Sequence, residues 1–438
     1  MASRGTKYAS SNVYDTFGQA YQTQNGILAG KAFALGTSNN REFAYSTNSQ
    51  SVARDVRNGF QDRGFFGGCT STAEVNSWVE AFVCFWKVTC ALERGDRPDV
   101  VKAWEAQKEL VLAVIRGFQN AGWSNMFLPV LYTTSNNLRL LAMRADYCVN
   151  LYKTPAEQNQ EKLEDAARVI NRGFTICIAD RAPIEESRKW GTYYMTNLLF
   201  KMYFKLNTIA LTKNILRAVQ ASAVDMPDIT DFPKPQRITF WYYLGVVHFL
   251  EGKYEEAEEN LMKAFEGCYE GATQQQELIL IYLIPTRLLN KQLLPSRALL
   301  SCYPQLEALF LPFTQCIKSG NLKKFDEALA AGEEEFVKRR IYLTLERCRE
   351  VVLRNLFRKA YMCQTGDSTT KSRVPLELFR VAVEVSSGLK RGEMEAEEVE
   401  CLLANMIYSG RMKGYISREH SKMVFSSKDP FPGTKTED

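Results

Sequence analysis

Histidine is scarce in this sequence, with only His248 and His420 among 438 residues. Eleven cysteines are present, but they are scattered through apolar helical patterns and no two of them form a C-x-x-C pair. Structural zinc sites are built from closely spaced Cys and His ligands. The cysteines are therefore interpreted as reduced core thiols rather than zinc ligands, and the sequence predicts no metal and no cofactor.

Long apolar runs are also missing. No segment approaches the ~20 uncharged apolar residues that a membrane helix needs, and the opening residues MASRGTKYASSNVYD lack the apolar stretch of a signal peptide. Hydrophobic content of 45% and charged content of 24% are typical of a soluble globular chain. These features predict a nuclear or cytosolic protein without a membrane partner.

The sequence contains none of the common catalytic motifs, such as H-E-x-x-H or G-x-S-x-G. Residues Gly26 to Lys31 resemble a phosphate-binding loop, but the stretch is one residue too short, follows no strand and ends before Ala32 instead of Ser or Thr. His248 stands at a packing position of a helical repeat, which favours a core or interface histidine over a ligand or base. The sequence predicts no catalytic residue and no enzyme.

Residues 1–70 are rich in Ser, Asn, Gln, Gly and Tyr. Val13, Phe17 and Tyr21 recur every four residues, which predicts one short helix. A second helix is expected to begin near Leu28. Asn39-Asn40 indicates a loop, as do the glycines further on, so the segment is predicted to be a partly ordered arm. The glycines are Gly64, Gly67 and Gly68.

Residues 71–223 have helical periodicity and no sustained alternation, so N-terminal helical repeats are predicted without strands. A connector with three prolines and three aspartates follows, from Val224 to Pro235. Beyond a first helix after Ser71, helices are expected at about 98–120, 124–148, 157–179, 187–206 and 208–221.

Residues 236–335 contain the clearest internal signal. Their spacing approximates a tetratricopeptide (TPR) repeat, in which a small residue lets two helices approach and large residues fill the groove between repeats. Such units stack because one alone cannot bury its apolar face, so a TPR-like right-handed superhelix is predicted. The residues that carry the pattern are Trp241, Leu244, Gly245, His248, Gly252, Tyr254, Ala257, Leu261 and Ala264.

Residues 336–432 change in character. A basic helix with an apolar stripe from Ile341 to Leu356 is predicted first, then helices beginning near Pro375 and Ala396. Two short alternating segments, 412–417 and 422–426, predict a β-hairpin. Helix, helix, helix and hairpin is the order of a winged helix. The predicted fold class is therefore an all-α helical-repeat superhelix capped by a C-terminal winged helix with a small hairpin, and 433–438 is a tail.

Charge divides this winged helix into distinct parts. The third helix opens with five glutamates between Glu393 and Glu400, which suit a helix N-terminus but would be repelled by phosphates. The hairpin is basic and opposed only by Glu419 and Asp429, so it is predicted to follow a nucleic-acid backbone without reading sequence. A solvated basic hairpin is the alternative. The candidate nucleic-acid-binding residues are Arg411, Lys413, Tyr415, Arg418, His420, Lys422 and Lys428.

Several stretches resemble one branch of the PCI-domain family, the signalosome-subunit-twelve-like proteins, which include an mRNA-export PCI subunit. The resemblance covers about residues 100 to 432. It implies pairing with a larger PCI scaffold subunit of the Sac type, binding of a small acidic Sem/DSS-type protein, and a platform for RNA or DNA. The stretches are Glu186–Gly191, Leu198–Leu206, Leu280–Pro285, Arg354–Lys359, Leu403–Tyr408, Lys413–Ser417 and Pro430–Pro432.

Four arginines on the predicted basic helix offer a second candidate surface. Because the guanidinium group binds carboxylates and phosphates alike, the stripe is predicted either to extend the nucleic-acid surface or to bind the acidic protein. A solvated helix face is the third possibility. The candidate partner-binding residues are Arg340, Arg347, Arg354 and Arg358, with Phe336, Tyr342 and Phe357 as apolar contacts.

Taken with the resemblance, these features predict a non-enzymatic nuclear scaffold subunit of a TREX-type complex that couples transcription to mRNA export. The alternative is a structural subunit of the signalosome or the splicing machinery that contacts protein only. The shared motifs do not separate these two functions.

Overall fold

The computed structural model describes residues 13–62, 71–95, 97–151, 153–154, 157–364 and 372–432. The chain divides into two compact units, Met1–Phe240 and Trp241–Asp438. The five-part division expected from the sequence remains a prediction.

The first unit begins with four helices whose aromatic side chains form one core. Phe17, Phe33, Phe43 and Phe60 are all nearly or fully buried and lie within 6.5 Å, ring to ring, of Phe82 on the next helix. Aromatic side chains bury 150–250 Å² each, which explains how short polar helices hold together. The helices are α1 (Val13–Gln22), α2 (Gly26–Ala32), α3 (Ser38–Ser46) and α4 (Val52–Asp62).

The loop predicted at Asn39-Asn40 is wrong, because both residues lie in α3. Asn40 is only 1% exposed, and its side-chain amide donates to Ala34 O at 3.0 Å while its oxygen accepts from Thr37 Oγ1. An asparagine that satisfies its polar groups inside the core is compatible with a helix. The loop predicted at Gly64, Gly67 and Gly68 lies outside the described residues.

The stretch that resembles a phosphate loop is α2. Gly30 packs against the backbone of a later helix, where an added Cβ would lie 2.8 Å from Pro129 O. The two glycines of this stretch therefore allow close helix packing.

The helices expected between 71 and 221 are confirmed, with boundaries that differ by a few residues. Successive helices pack on one another, and the stacked rings of Trp78 and Trp123, 3.5 Å apart, lie in their core. The helices are α5 (Thr72–Glu93), α6 (Val100–Asn120), α7 (Leu128–Asn150), α8 (Glu161–Ile178), α9 (Thr192–Lys205) and α10 (Ala210–Ala221), followed by α11 (Lys234–Leu250), which contains the division between the units.

The second unit continues with helices at the positions of the predicted TPR-like repeats. Gly245 of α11 lies against Leu261, and an added Cβ at Gly245 would be 2.7 Å from Leu261 Cγ. This is the close approach that the repeat spacing predicts. The helices are α12 (Tyr254–Gly267), α13 (Thr273–Lys291), α14 (Arg297–Ser301), α15 (Pro304–Ser319), α16 (Leu322–Ala331), α17 (Glu333–Lys338), α18 (Tyr342–Arg347) and α19 (Arg349–Met362).

Replacing Gly245 by alanine should destabilise the chain by about 1–2 kcal/mol, because the added methyl group overpacks the contact with Leu261. The matched control is Gly59→Ala in α4, where the new Cβ would lie 3.6 Å from the Tyr14 ring, an ordinary contact. That change should be neutral or slightly stabilising, since alanine is the better helix former. Urea unfolding of the two variants measures the difference, and equal midpoints would contradict the close-packing argument.

The chain ends in a winged helix built on α19. Two further helices follow, and the last strands form the predicted hairpin, which is confirmed. A third strand, not predicted, pairs with the hairpin and gives an antiparallel sheet of order β1-β3-β2. The predicted fold class is thus confirmed. The elements are β1 (Arg373–Pro375), α20 (Leu376–Ser387), α21 (Ala396–Tyr408), β2 (Gly414–Ser417) and β3 (Lys422–Phe425).

Candidate nucleic-acid and partner interface

The sequence predicts one basic helix at the start of residues 336–432, but the structure divides it among three helices, α17, α18 and α19. The chain turns between α17 and α18 at Arg340, whose φ of 61° is left-handed. An interrupted helix does not present its residues at one helical spacing. The four arginines therefore do not form a single stripe, and that expectation is wrong.

Arg354 is buried rather than exposed, with 0% of its surface accessible. Its Nη2 donates hydrogen bonds of 2.9 Å to Phe431 O and to Pro432 O. Burial lowers the pKa of Arg354 to about 10, with Arg358 and Arg411 adding to the effect, so the side chain stays charged at neutral pH. It holds the C-terminal segment against the winged helix and is not available to a partner.

The two phenylalanines proposed as partner contacts also belong to the core. Phe336 is 1% exposed and Phe357 is fully buried. The Phe336 ring lies 5.6 Å from that of Phe313, and the Phe357 ring lies 5.2 Å from that of Phe379. Their large apolar surface stabilises the fold, so as exposed contacts these predictions are wrong.

The other candidate partner-binding residues keep accessible surface. Arg347 is exposed, and its Nη1 donates to Tyr254 Oη at 3.2 Å. Arg340, Tyr342 and Arg358 are half-buried. Their role toward a partner stays a prediction.

The acidic third helix is confirmed as α21. Glu397 and Glu398 lie in its first turn and are exposed, where their charge meets the positive end of the helix dipole. Glu400, one turn further, accepts a 2.8 Å hydrogen bond from Arg418 Nε. The acidic helix therefore neutralises part of the basic hairpin.

Two more of the predicted wing cations are paired within the chain. Arg411 Nε lies 3.1 Å from a carboxylate oxygen of Glu350, and its side chain is only 13% exposed. Lys413 Nζ lies 3.8 Å from a carboxylate oxygen of Asp429. The expectation that only Glu419 and Asp429 oppose the wing is wrong, because α19 and α21 each contribute a carboxylate.

The register of the sheet separates its two faces. Met423 and Phe425 of β3 are buried, so Lys422 and Val424 between them lie on the opposite face. Tyr415, which pairs with Val424, is 63% exposed. The residues of this outer sheet face are Arg373, Pro375, Tyr415, Ser417, Lys422 and Val424.

Arg373 is the functional candidate that the sequence did not suggest. It lies on β1 opposite Val424, and Tyr415 lies opposite Val424 on the other side, so one row across the sheet reads Arg373, Val424, Tyr415. The sequence gives no strand signal at Arg373, because three strand residues are too few to show alternation.

Three basic side chains at the wing lack an ion-pair partner among the described residues. Arg373, Lys422 and Lys428 are exposed, and none of them has a carboxylate within salt-bridge distance in the part of the chain that the structure describes. His420 is exposed in the turn between β2 and β3. The candidate surface is therefore the outer sheet face with Lys428 and His420 beside it.

Within residues 13–62, 71–95, 97–151, 153–154, 157–364 and 372–432, no three His, Cys, Asp or Glu side chains converge as a metal site. No helix of these ranges is long and apolar enough to cross a membrane. His248 is half-buried on α11.

The expectation that the cysteines are core thiols is wrong for Cys148, Cys302, Cys363 and Cys401, which are exposed.

Comparison with known proteins agrees with this architecture. The PCI domain family matches residues 322–427. A protein of Neurospora crassa named CSN12 homolog is 45% identical over 388 residues, covering 82% of this chain and 85% of its own length. The CSN12 homolog of Schizosaccharomyces pombe is 41% identical, covering 81% of this chain and 83% of its own length.

A vertebrate relative shows somewhat lower coverage and lower identity. PCI domain-containing protein 2 of Xenopus laevis is 34% identical over 339 residues, which is 77% of this chain and 81% of the relative. Because these matches span most of both chains, they include the helical repeats as well as the winged helix. The chain belongs to the PCI-domain family, in the branch of the CSN12 homologs and PCI domain-containing protein 2.

Proposed function

We propose that this chain is a non-enzymatic scaffold subunit of a nuclear TREX-type complex, where it binds nucleic acid without strong sequence preference and couples transcription to mRNA export. The observation that carries the proposal is the outer sheet face of a PCI-family chain, on which an exposed tyrosine lies with two cations that have no carboxylate partner among the described residues. Cations bind phosphates regardless of sequence, and the acidic α21 is unsuited to a groove of the duplex.

The proposed partners are a larger PCI scaffold subunit of the Sac type and a small acidic Sem/DSS-type protein. Arg340, Arg347, Arg358 and Tyr342 keep accessible surface near α17 to α19, and arginine forks suit carboxylates. Because Arg354, Phe336 and Phe357 lie in the core, the proposed contact involves only these four accessible residues.

Reversing two wing charges tests nucleic-acid binding. The double variant Lys422→Glu, Lys428→Glu should bind a single-stranded 20-mer roughly tenfold more weakly, and the slope of log K against log salt should fall by about 1.4, because each of the two lost phosphate contacts removes about 0.7 from that slope. Fluorescence anisotropy at several salt concentrations measures both quantities.

The matched control carries the same change of charge on another surface of the second unit, Lys318→Glu with Lys324→Glu, both of which are exposed. It should bind almost as the unaltered chain does. If the wing variant and this control are weakened equally, net charge and not the wing governs binding.

A protein-only scaffold associated with the signalosome or with splicing is the second candidate. One observation favours it: Arg411, Lys413 and Arg418 are already paired with carboxylates of the chain. Affinity purification of the tagged chain with mass spectrometry separates the two. We expect a larger PCI subunit and a small acidic protein; signalosome subunits without them would favour the alternative.

A further inference from the structure

The outer sheet face is accessible to solvent, and none of its own six residues carries an acidic group. Tyr415 is 63% exposed, and its neighbour across β3 in the same row is Val424, followed by Arg373 on β1. Adjacent strands are about 4.8 Å apart, so the tyrosine and the arginine are separated by roughly 10 Å and one ligand strand can contact both.

From this arrangement we infer that Tyr415 is a stacking platform for an unpaired base and that the outer sheet face prefers single-stranded over double-stranded nucleic acid. The inference rests on the proposed function, since it names the form of nucleic acid that the wing binds. Arg373 and Lys422 contact the phosphates on either side of the stacked base, and Val424 contacts the sugar or base edge between them.

The preference for single strands follows from the geometry of stacking. In a duplex both faces of each base are covered by neighbouring base pairs, so an aromatic ring on a sheet has no free face to contact. An unpaired base offers its whole face, and base-aromatic stacking tolerates any sequence because every base has a π-face. A surface with cations alone would bind the duplex at least as well, because the duplex carries the higher charge density. Tyr415 is the group that changes the preference.

A protein partner on this face fits the observations less well. The cores of protein interfaces are depleted in lysine, and here Lys422 lies in the middle strand of the sheet with no carboxylate at salt-bridge distance among the described residues. Burying it against a protein would require a carboxylate from the partner. Nucleic acid supplies the counter-charge at every nucleotide.

The test compares a single-stranded 20-mer with the 20-base-pair duplex of the same sequence, using the full chain and its Tyr415→Ala variant. The unaltered chain should bind the single strand more tightly. Tyr415→Ala should weaken single-strand binding roughly 5- to 150-fold and change duplex binding less than twofold. Tyr415→Phe keeps the ring and should bind as the unaltered chain does.

Tyr408→Ala is the matched control, because Tyr408 is a 95% exposed tyrosine of the same winged helix that lies on α21 and not on the outer sheet face. It should leave both affinities unchanged. A second readout is crosslinking of a bromodeoxyuridine-substituted single strand under ultraviolet light, with the attached peptide identified by mass spectrometry. The crosslink should lie at Tyr415.

The outcomes distinguish this inference from the proposed function. If the chain binds both nucleic acids but Tyr415→Ala weakens them equally, or if the duplex binds more tightly, the stacking platform is wrong while nucleic-acid binding stands. If the unaltered chain binds neither form, both are wrong. If a protein partner protects Tyr415 and Lys422 from exchange or modification and nucleic acid does not, the outer sheet face is a protein interface and the inference is overturned.

Discussion

Replacing Arg354 by alanine should lower the free energy of unfolding of the second unit by about 3 kcal/mol. The guanidinium is fully buried and donates to Phe431 O and Pro432 O, and hydrogen bonds to a charged group contribute about 1.5–3 kcal/mol. Removing the side chain takes away both hydrogen bonds and opens a cavity beside the Phe431 ring, which lies 5.9 Å from the guanidinium carbon.

Urea unfolding of the full chain measures this loss, and hydrogen exchange locates it. The amide of Lys413 donates to Pro430 O and that of Ser426 to Lys413 O, so both should exchange faster once the segment is released. Arg358→Ala is the matched control, one turn along α19 and half-buried. If its unfolding midpoint equals that of Arg354→Ala, the two carbonyl contacts contribute nothing measurable.

Asp180 should give the first unit an acid-sensitive contribution of about 2 kcal/mol. Burial alone would raise the pKa of Asp180, but the side chain and backbone N–H of Arg188, together with Ser187, hold it at about 2. Arg188 Nη2 and N each donate at 2.7 Å, and Ser187 Oγ donates at 3.0 Å. The folded pKa lies below the usual 3.8, so the contribution is complete above about pH 4 and is lost as pH falls toward 2.

The Asp180→Asn variant separates this effect from the titration of other carboxylates. Near neutral pH it should be less stable than the unaltered chain by about 2 kcal/mol or more, because Arg188 also loses a buried partner. The difference should narrow between pH 4 and 2. Asp231→Asn, at an exposed site, is the control and should show no such convergence. A difference that stays constant over this range would contradict the assignment.

This network also gives a structural reason for one of the stretches on which the family resemblance depends. Ser187 and Arg188 lie within Glu186–Gly191, and Arg188 Nη1 reaches Phe118 O at 3.0 Å. The stretch therefore connects the end of α6 to the segment after α8. A motif that identifies the family here marks a buried hydrogen-bond network of the fold.

The sequence was most informative where packing is local. Apolar residues at helical spacing predicted the long helices of 71–221, and the alternation of 412–417 and 422–426 predicted the hairpin. The turn at Arg340 was missed because a non-glycine residue in the left-handed region has no sequence signal. The helix at Asn39-Asn40 was missed because asparagine usually favours turns.

The candidate site depends on contacts between residues far apart in sequence. Arg354 was placed on the surface because arginine is rarely buried, and its acceptors lie 77 and 78 residues away. Arg411 and Arg418 look like free cations in the sequence because their carboxylate partners, Glu350 and Glu400, lie on helices α19 and α21. Arg373 is recognised as part of the site only from the pairing of β1 with β3. Helical or strand periodicity in the sequence does not report contacts between residues that are far apart along the chain.

The strand order β1-β3-β2 has a consequence for how the protein folds during its synthesis on the ribosome. Strand β1 pairs only with β3, about fifty residues later along the chain, and Arg354 finds its acceptors only when Phe431 and Pro432 are present. Helices of the repeats need only near neighbours and can form as they emerge. The winged helix must wait for its last residues, so it is the part of the nascent chain that stays open longest to chaperones and to partners made alongside it.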